Sequence, residues 1–179
     1  SGGHFGLQNA SAAVLSSCQE TGQLTIEVMI TPQSADRTGP ACILACARNI
    51  DNSNFMLLQD ENRLLGRLAT SDASGAADDF VELCRISFGQ PQHVTLTYRP
   101  GALSCFLNGR RVYFDGRLQG DFASWQRHPV TIVATSGGKH DWAGTLEGLA
   151  IYDRALGEDE IRRNSGLYHN LIAQRHEVP

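Results

Sequence analysis

Residues 144–164 read GTLEGLAIYDRALGEDEIRRN, an apolar run that hands over to a stretch composed to start a helix. With Gly157 as N-cap, Glu158, Asp159 and Glu160 fall on the positive end of that helix, and Arg162 and Arg163 follow behind them. Leu156 and Ile161 are spaced to close as a hydrophobic staple, and Glu160 stands where a side chain reaches back to the cap. Gly166 is a natural stop. The spacing predicts one short helix directly after a long strand. Helix-end electrostatics account for the three carboxylates without a catalytic or calcium-binding role.

Outward from this stretch the chain is written in strands and turns. In LTIEVMIT, residues 24–31, Leu24, Ile26, Val28 and Ile30 alternate with Thr25, Glu27, Met29 and Thr31, which predicts a strand buried on one face. ACILACAR, NFMLLQD, RLLGRLAT, FVELCRISF, HVTLTY, PVTIVATS and TLEGLAIYD read as further strands between Gly, Pro, Asn and Asp clusters. LSCFLNGRRVYF, residues 103–114, sets Asn108 and Gly109 between two such runs; both tolerate positive φ, so a type I′ hairpin follows. Residues 32–40, 49–54, 71–79, 115–128 and 136–143 read as loops, and 170–179 as a loosely held tail. Short strands without alternating helices predict an all-β fold, two stacked antiparallel sheets with one short C-terminal helix. At 179 residues, 1–179 is expected to be a single domain.

Fifteen basic and nineteen acidic residues give a formal charge of −4, and Lys139 is the lone lysine, so nothing suggests an electrostatic grip on nucleic acid or anionic lipid. The longest apolar runs, such as Ala41 to Ala47, fall far short of the ~20 residues a membrane-crossing helix needs. The opening SGGHFG has neither the basic region nor the apolar core of a secretory signal. Of five cysteines, Cys42 and Cys46 lie in one strand, where regular alternation points both to the same face as Leu44. They read as core residues; zinc is the sharper alternative, but no CxxC and no suitably spaced histidine accompanies them. One disulfide among the five is compatible with the sequence.

The segments LTIEVMITP (24–32), QHVTLTYRPGALSCFLNGRRVY (92–113) and GTLEGLAIYDRALGEDEIRRN (144–164) resemble three stations of the laminin G-like domains of the concanavalin A-like lectin/glucanase superfamily. Tyr152, Asp153, Arg154, Ala155, Leu156, Glu160 and Ile161 match the family's final strand-to-helix pattern, while Gly157 stands where Ser or Thr is usual. GDFASW together with HDWAGTLEGLAIYDRAL is similar to such domains in large bacterial surface proteins. The resemblance implies a jelly roll that binds glycan or protein as one module among neighbouring domains of an extracellular or periplasmic polypeptide. Some relatives carry haem modules, but no CxxCH occurs here, so haem is not implied.

Catalytic patterns are sparse. Retaining glycosidases need two carboxyls about 5–5.5 Å apart, and this superfamily's hydrolases commonly supply them as Glu-x-Asp-x-x-Glu; Glu27, Glu82 and Glu147 instead read as isolated strand acids. The six histidines show no HxH, HxxxH or HExxH spacing, and His93 and His128 read as surface or edge residues. No GxSxG or P-loop is present. Asn49, Asp51, Asn52 and Asn54 make an oxygen-rich loop with one carboxylate, read as turn chemistry, with calcium as the alternative and no cofactor expected.

Sugar binding requires an exposed aromatic face beside planar polar groups. Trp125 and Trp142, the two tryptophans, both fall in predicted loops, and Lys139, His140 and Asp141 adjoin Trp142. These five residues are the expected ligand contacts, with an end plug of the sandwich as the structural alternative for the tryptophans. The expectation is a non-catalytic recognition module, for carbohydrate first. A protein-interaction or scaffold domain is the second reading and a divergent glycoside hydrolase or polysaccharide lyase the third.

Overall fold

The computed structural model describes residues 5–6, 8–33, 39–72, 79–132 and 142–176. Its elements are β1 (Phe5–Gly6), α1 (Gln8–Thr21), β2 (Leu24–Pro32), β3 (Ala41–Ala47), β4 (Ser53–Asp60), β5 (Arg63–Leu68), β6 (Val81–Arg85), β7 (Gln92–Arg99), β8 (Ala102–Leu107), β9 (Arg110–Asp115), β10 (Val130–Ile132), β11 (Gly144–Tyr152) and α2 (Glu158–His176). A six-stranded sheet, ordered β1-β10-β3-β4-β5-β6, faces a five-stranded sheet, ordered β11-β2-β7-β8-β9. Every neighbouring pair is antiparallel. The two-sheet sandwich expected from the alternating pattern is present. Leu24, Ile26, Val28 and Ile30 of β2 meet Ile43, Leu44, Phe55, Leu57 and Leu64 of the opposite sheet in one continuous core.

Asn108 and Gly109 take φ of 51° and 76°, the pair of left-handed values that a type I′ turn demands. The start of α2 is assembled as its sequence implies. Gly157 C=O accepts the Ile161 N–H at 3.0 Å, and Glu160 Oε2 accepts the Gly157 N–H at 3.2 Å, the reciprocal half of a capping box. Leu156 and Ile161 close together over Phe106. Thr25 Oγ1 fastens the turn before the helix by donating to Arg154 C=O at 2.6 Å and accepting from Leu156 N–H at 3.0 Å.

Arg154 grips Glu160 with two hydrogen bonds of 2.9 Å. This pairing and the Gly157 N–H hold the Glu160 carboxyl down at about 2, against an ordinary 4.5. A carboxyl depressed in the fold contributes stability that is complete above about 4.5 and lost as pH falls through about 2. Glu160→Gln is therefore expected to melt below the unmodified chain at pH 5–7 and together with it at pH 2. Because the pair is solvent-exposed, salt shrinks the gap. Thermal melts across that range check this, and parallel curves at all pH values count against it.

Several expectations are corrected. α2 is not a short helix stopped by Gly166 but runs to His176, so the expected tail from residue 170 is helical there and Ile172 is buried. A glycine inside a helix costs only about 1 kcal/mol, and Ile161, Ser165 and Ile172 all bury against the body of the protein. A second helix, α1, precedes β2 and was not expected. Val14, Leu15 and Cys18 turn its apolar side to the core, and Gly22, at φ 64°, closes it by donating its N–H to Cys18 C=O at 2.9 Å. Cys42 and Cys46 do not share a face. A bulge between Cys42 and Leu44 reverses the alternation, so Leu44 and Cys46 enter the main core while Cys42 joins Ala45, Met56 and Leu58 on the other side. All five cysteines are free thiols, and burial pushes Cys18 up to about 12 and Cys42 and Cys46 to about 11, so these three stay protonated at neutral pH.

β2 is likewise not half-buried: Thr25, Glu27 and Met29 are as inaccessible as the aliphatic face, because α2 lies over the outer side of the five-stranded sheet. Glu27 is the centre of that contact. It accepts hydrogen bonds from Tyr152 Oη at 3.0 Å and from Asn164 Nδ2 of α2 at 3.1–3.2 Å. His93, expected at the surface, is fully buried in the interior strand β7; its ring stacks on Tyr168 of α2 at 4.9 Å, and Nε2 lies 3.6 Å from Glu27 Oε1. His128 is buried as well, against Asn52 Oδ1 at 2.8 Å.

Candidate ligand-binding cleft

α2 covers only part of the outer face of the five-stranded sheet, and the uncovered part forms a cleft of about 350 Å³. That volume lies at the lower end of the range for small-molecule sites. Its floor follows from strand register. Thr25 pairs with Thr97, Thr97 with Ser104 and Ser104 with Phe114, so one row crosses β2, β7, β8 and β9 with all four side chains on the side opposite the core. The neighbouring rows place Arg99 beside Ala102 and Phe106 beside Arg111. Ala155, Leu156, Gly157 and Glu158, the turn that launches α2, form the wall. Gln23 Oε1 accepts the Ala155 N–H at 3.0 Å, and Thr25 holds the next residue, so the wall is tied to the floor by side chains.

The chemistry of the lining is mixed in a particular way. Phe114 is 57% exposed although it lies inside a strand. Arg111 places its guanidinium 5.5 Å from the centre of that ring and bonds Glu158 Oε1 through Nη1 at 3.1 Å. The hydroxyls of Thr97 and Ser104 lie in the floor between Phe114 and the Gln23 amide. An aromatic surface, two hydroxyls, an amide and two guanidiniums thus converge on one concavity.

Neither of the two tryptophans expected from the sequence to contact ligand lines this cleft. Lys139, His140 and Asp141 lie outside the described residues. Trp142 is 5% exposed and sits in the core, its indole N–H donating to Gln59 Oε1 at 2.6 Å, so the exposed ring expected there is corrected. Trp125 is also 5% exposed: its N–H donates to Ala69 C=O at 2.8 Å and its ring stacks on Phe122 at 4.0 Å. Both rings plug the sandwich. A signal for Phe114 was present in RRVYF, where two adjacent aromatics in a strand must point to opposite faces; Tyr113 takes the core side and Phe114 the outer one. In the Asn-rich loop, Asn49 Oδ1 accepts the backbone N–H of Asp51 and Asn52 at 3.1 and 2.8 Å, the turn chemistry expected. Among the described residues no group of three or more His, Cys, Asp or Glu is arranged to hold a metal ion.

The sequence pattern of the family described as the concanavalin A-like lectin/glucanases superfamily matches residues 6–162. The chain belongs to that superfamily. No curated protein matches it in sequence. Among solved structures with this lectin/glucanase fold, the binding domain of Paraclostridial Mosquitocidal Protein 1 aligns with TM-score 0.63 and 16% identity, covering 83% of this chain and 38% of that one. A botulinum neurotoxin type C structure, described by that toxin's dependence on two ganglioside molecules for cell entry, aligns with TM-score 0.61 and 12% identity over 80% and 35%. A Trypanosoma rangeli sialidase bound to 2,3-difluorosialic acid aligns with TM-score 0.59 and 17% identity over 80% and 22%. The chain thus spans well under half the length of each of these three, and at such identities the likeness is one of fold.

Proposed function

We propose that the chain is a non-catalytic recognition module that takes carbohydrate in the cleft between β7–β9 and the start of α2. The observation that carries this reading is Phe114, a largely exposed aromatic ring beside hydroxyl, amide and guanidinium groups in one concavity. That is the combination sugar binding requires, an apolar plate for C–H surface and planar partners for hydroxyls. Membership of a lectin/glucanase superfamily and the ganglioside-dependent toxin among its fold neighbours support it. Hydrolysis is not favoured, because among the described residues Glu158 is the one carboxylate lining the cleft and Arg111 already holds it. The module acts within a larger exported protein, outside the cell or in the periplasm. No helix among the described residues is long and apolar enough to cross a membrane.

A second reading, protein interaction, rests on β9. It is an edge strand that exposes Val112 (46%) and Phe114 together, a surface able to pair with a partner's strand.

Glycan-array binding of the unmodified chain and Phe114→Ala separates the two. Loss of a stacking ring is expected to weaken glycan binding about tenfold or more, with the melting temperature unchanged because the ring is mostly in water. Undiminished glycan binding by Phe114→Ala overturns the cleft as the sugar site. Absence of any glycan signal from the folded chain, with a protein partner lost on Val112→Lys, favours the interaction reading.

A further inference from the structure

Resting on the carbohydrate reading of this cleft, we propose that its sugar is acidic and that Arg99 holds the anionic substituent, a carboxylate or a sulfate ester. The balance of charge around the cleft leads there. Three acids open α2, and each is already bonded to an arginine: Glu158 to Arg111 at 3.1 Å, Asp159 to Arg162 at 3.1 Å and Glu160 to Arg154 at 2.9 Å. Arg99 lines the same cleft and forms no ion pair with any acid among the described residues. Of the twelve described residues that line the cleft two are cations and one is an anion, and that anion is paired with Arg111, which leaves Arg99 as the uncompensated charge among them.

Position fits the role. Arg99 ends β7, and its partner across the strand pair is Ala102, whose methyl group leaves the space beside the guanidinium open. Phe114 stands on β9, two strand spacings across and two residues along from Arg99, roughly 12 Å away. A ring lying on Phe114 therefore extends across the Thr97–Ser104 floor and presents a substituent at its far side to Arg99. A guanidinium offers a planar fork of N–H donors that matches carboxylate or sulfate oxygens in pairs, and such charge-assisted bonds are about twice as strong as neutral ones. The chain's net charge of −4 gives no long-range attraction to an acidic glycan, so selectivity arises at contact.

The test is an array in which uronic-acid and sialic-acid glycans stand beside their methyl esters, and sulfated glycans beside their desulfated forms, probed with the unmodified chain, Arg99→Gln, Arg99→Lys and Phe114→Ala. The unmodified chain is expected to prefer one acidic set over its neutral partners about tenfold or more, and which set responds distinguishes carboxylate from sulfate. Arg99→Gln abolishes that preference, lowering acidic-glycan binding far more than neutral-glycan binding, Arg99→Lys restores part of it, and 0.5 M salt erodes it. Equal binding of acidic and neutral partners, or a preference that survives Arg99→Gln, overturns this inference and leaves the carbohydrate reading standing. No glycan binding at all, with circular dichroism showing the fold intact, overturns both.

Discussion

Glu27→Ala is expected to lower the free energy of unfolding by roughly 3–5 kcal/mol and to loosen α2 from the sheet. The carboxylate is wholly buried, and the Tyr152 hydroxyl and the Asn164 amide both donate to it. Removing it orphans two half-buried donors, each costing up to about 1–3 kcal/mol, and opens a void under the helix. Glu27→Gln keeps one acceptor oxygen and the shape, so its cost is expected to be smaller. Urea unfolding measures both, and a cycle pairing Glu27→Ala with Asn164→Ala is expected to show clear non-additivity. A loss below about 1 kcal/mol for Glu27→Ala means that the network does not hold the helix.

His93 gives this region a pH signature. Burial pushes its imidazole down from 6.5 to about 4, and the charge of His169 adds to the fall. The nearest Glu27 oxygen is already claimed by Asn164. Between pH 6.5 and 4 the unfolded chain therefore takes up a proton that the folded chain refuses. Stability is full above 6.5 and declines as pH drops through that window. His93→Phe, which can keep the ring contact with Tyr168, should flatten the decline.

The second large effect belongs to Trp125. Trp125→Ala is expected to cost about 3–5 kcal/mol, the range for a large aromatic deleted from a core. The ring packs on Phe122 at 4.0 Å and Phe55 at 5.8 Å, and Tyr98 donates its hydroxyl to Gly120 C=O at 2.6 Å in the same cluster. These contacts fold the long segment after β9 inward, and Asn54 fixes its end by accepting the Gln126 N–H at 3.0 Å and donating to Gln126 C=O at 2.8 Å. Trp142→Ala belongs with it, since that ring is buried to the same degree. Any glycan binding lost in either tryptophan variant is expected to follow the loss of fold. A variant that melts normally yet no longer binds would return these rings to the ligand site.

The elements legible in the sequence were those specified by neighbours along the chain. Asn108 and Gly109 need positive φ wherever the hairpin sits, and Leu156, Gly157, Glu160 and Ile161 define a helix start among themselves. Features set by partners far away in sequence were misread. Gly166 is a stop signal only for a helix with nothing to lie on; here the sheet supplies a surface that keeps the helix going. The bulge in β3 changes which face Cys42 occupies, and a strict period of two has no place for it. The tryptophans lie in irregular segments, as expected, but those segments turn inward. The cleft is invisible for a related reason, since Thr97, Ser104 and Phe114 become a row only once three strands are in register. The alternation in RRVYF carried the one local hint.

Leu156, Gly157 and Glu158 serve at once as the wall of the cleft and as the clasp from which α2 begins. Occupancy and anchoring of the C-terminal helix are thus thermodynamically joined. On the cleft reading a guest seated against this wall would favour the clasped start of α2, and a substitution that loosens the clasp would weaken the hold on the guest by the same factor.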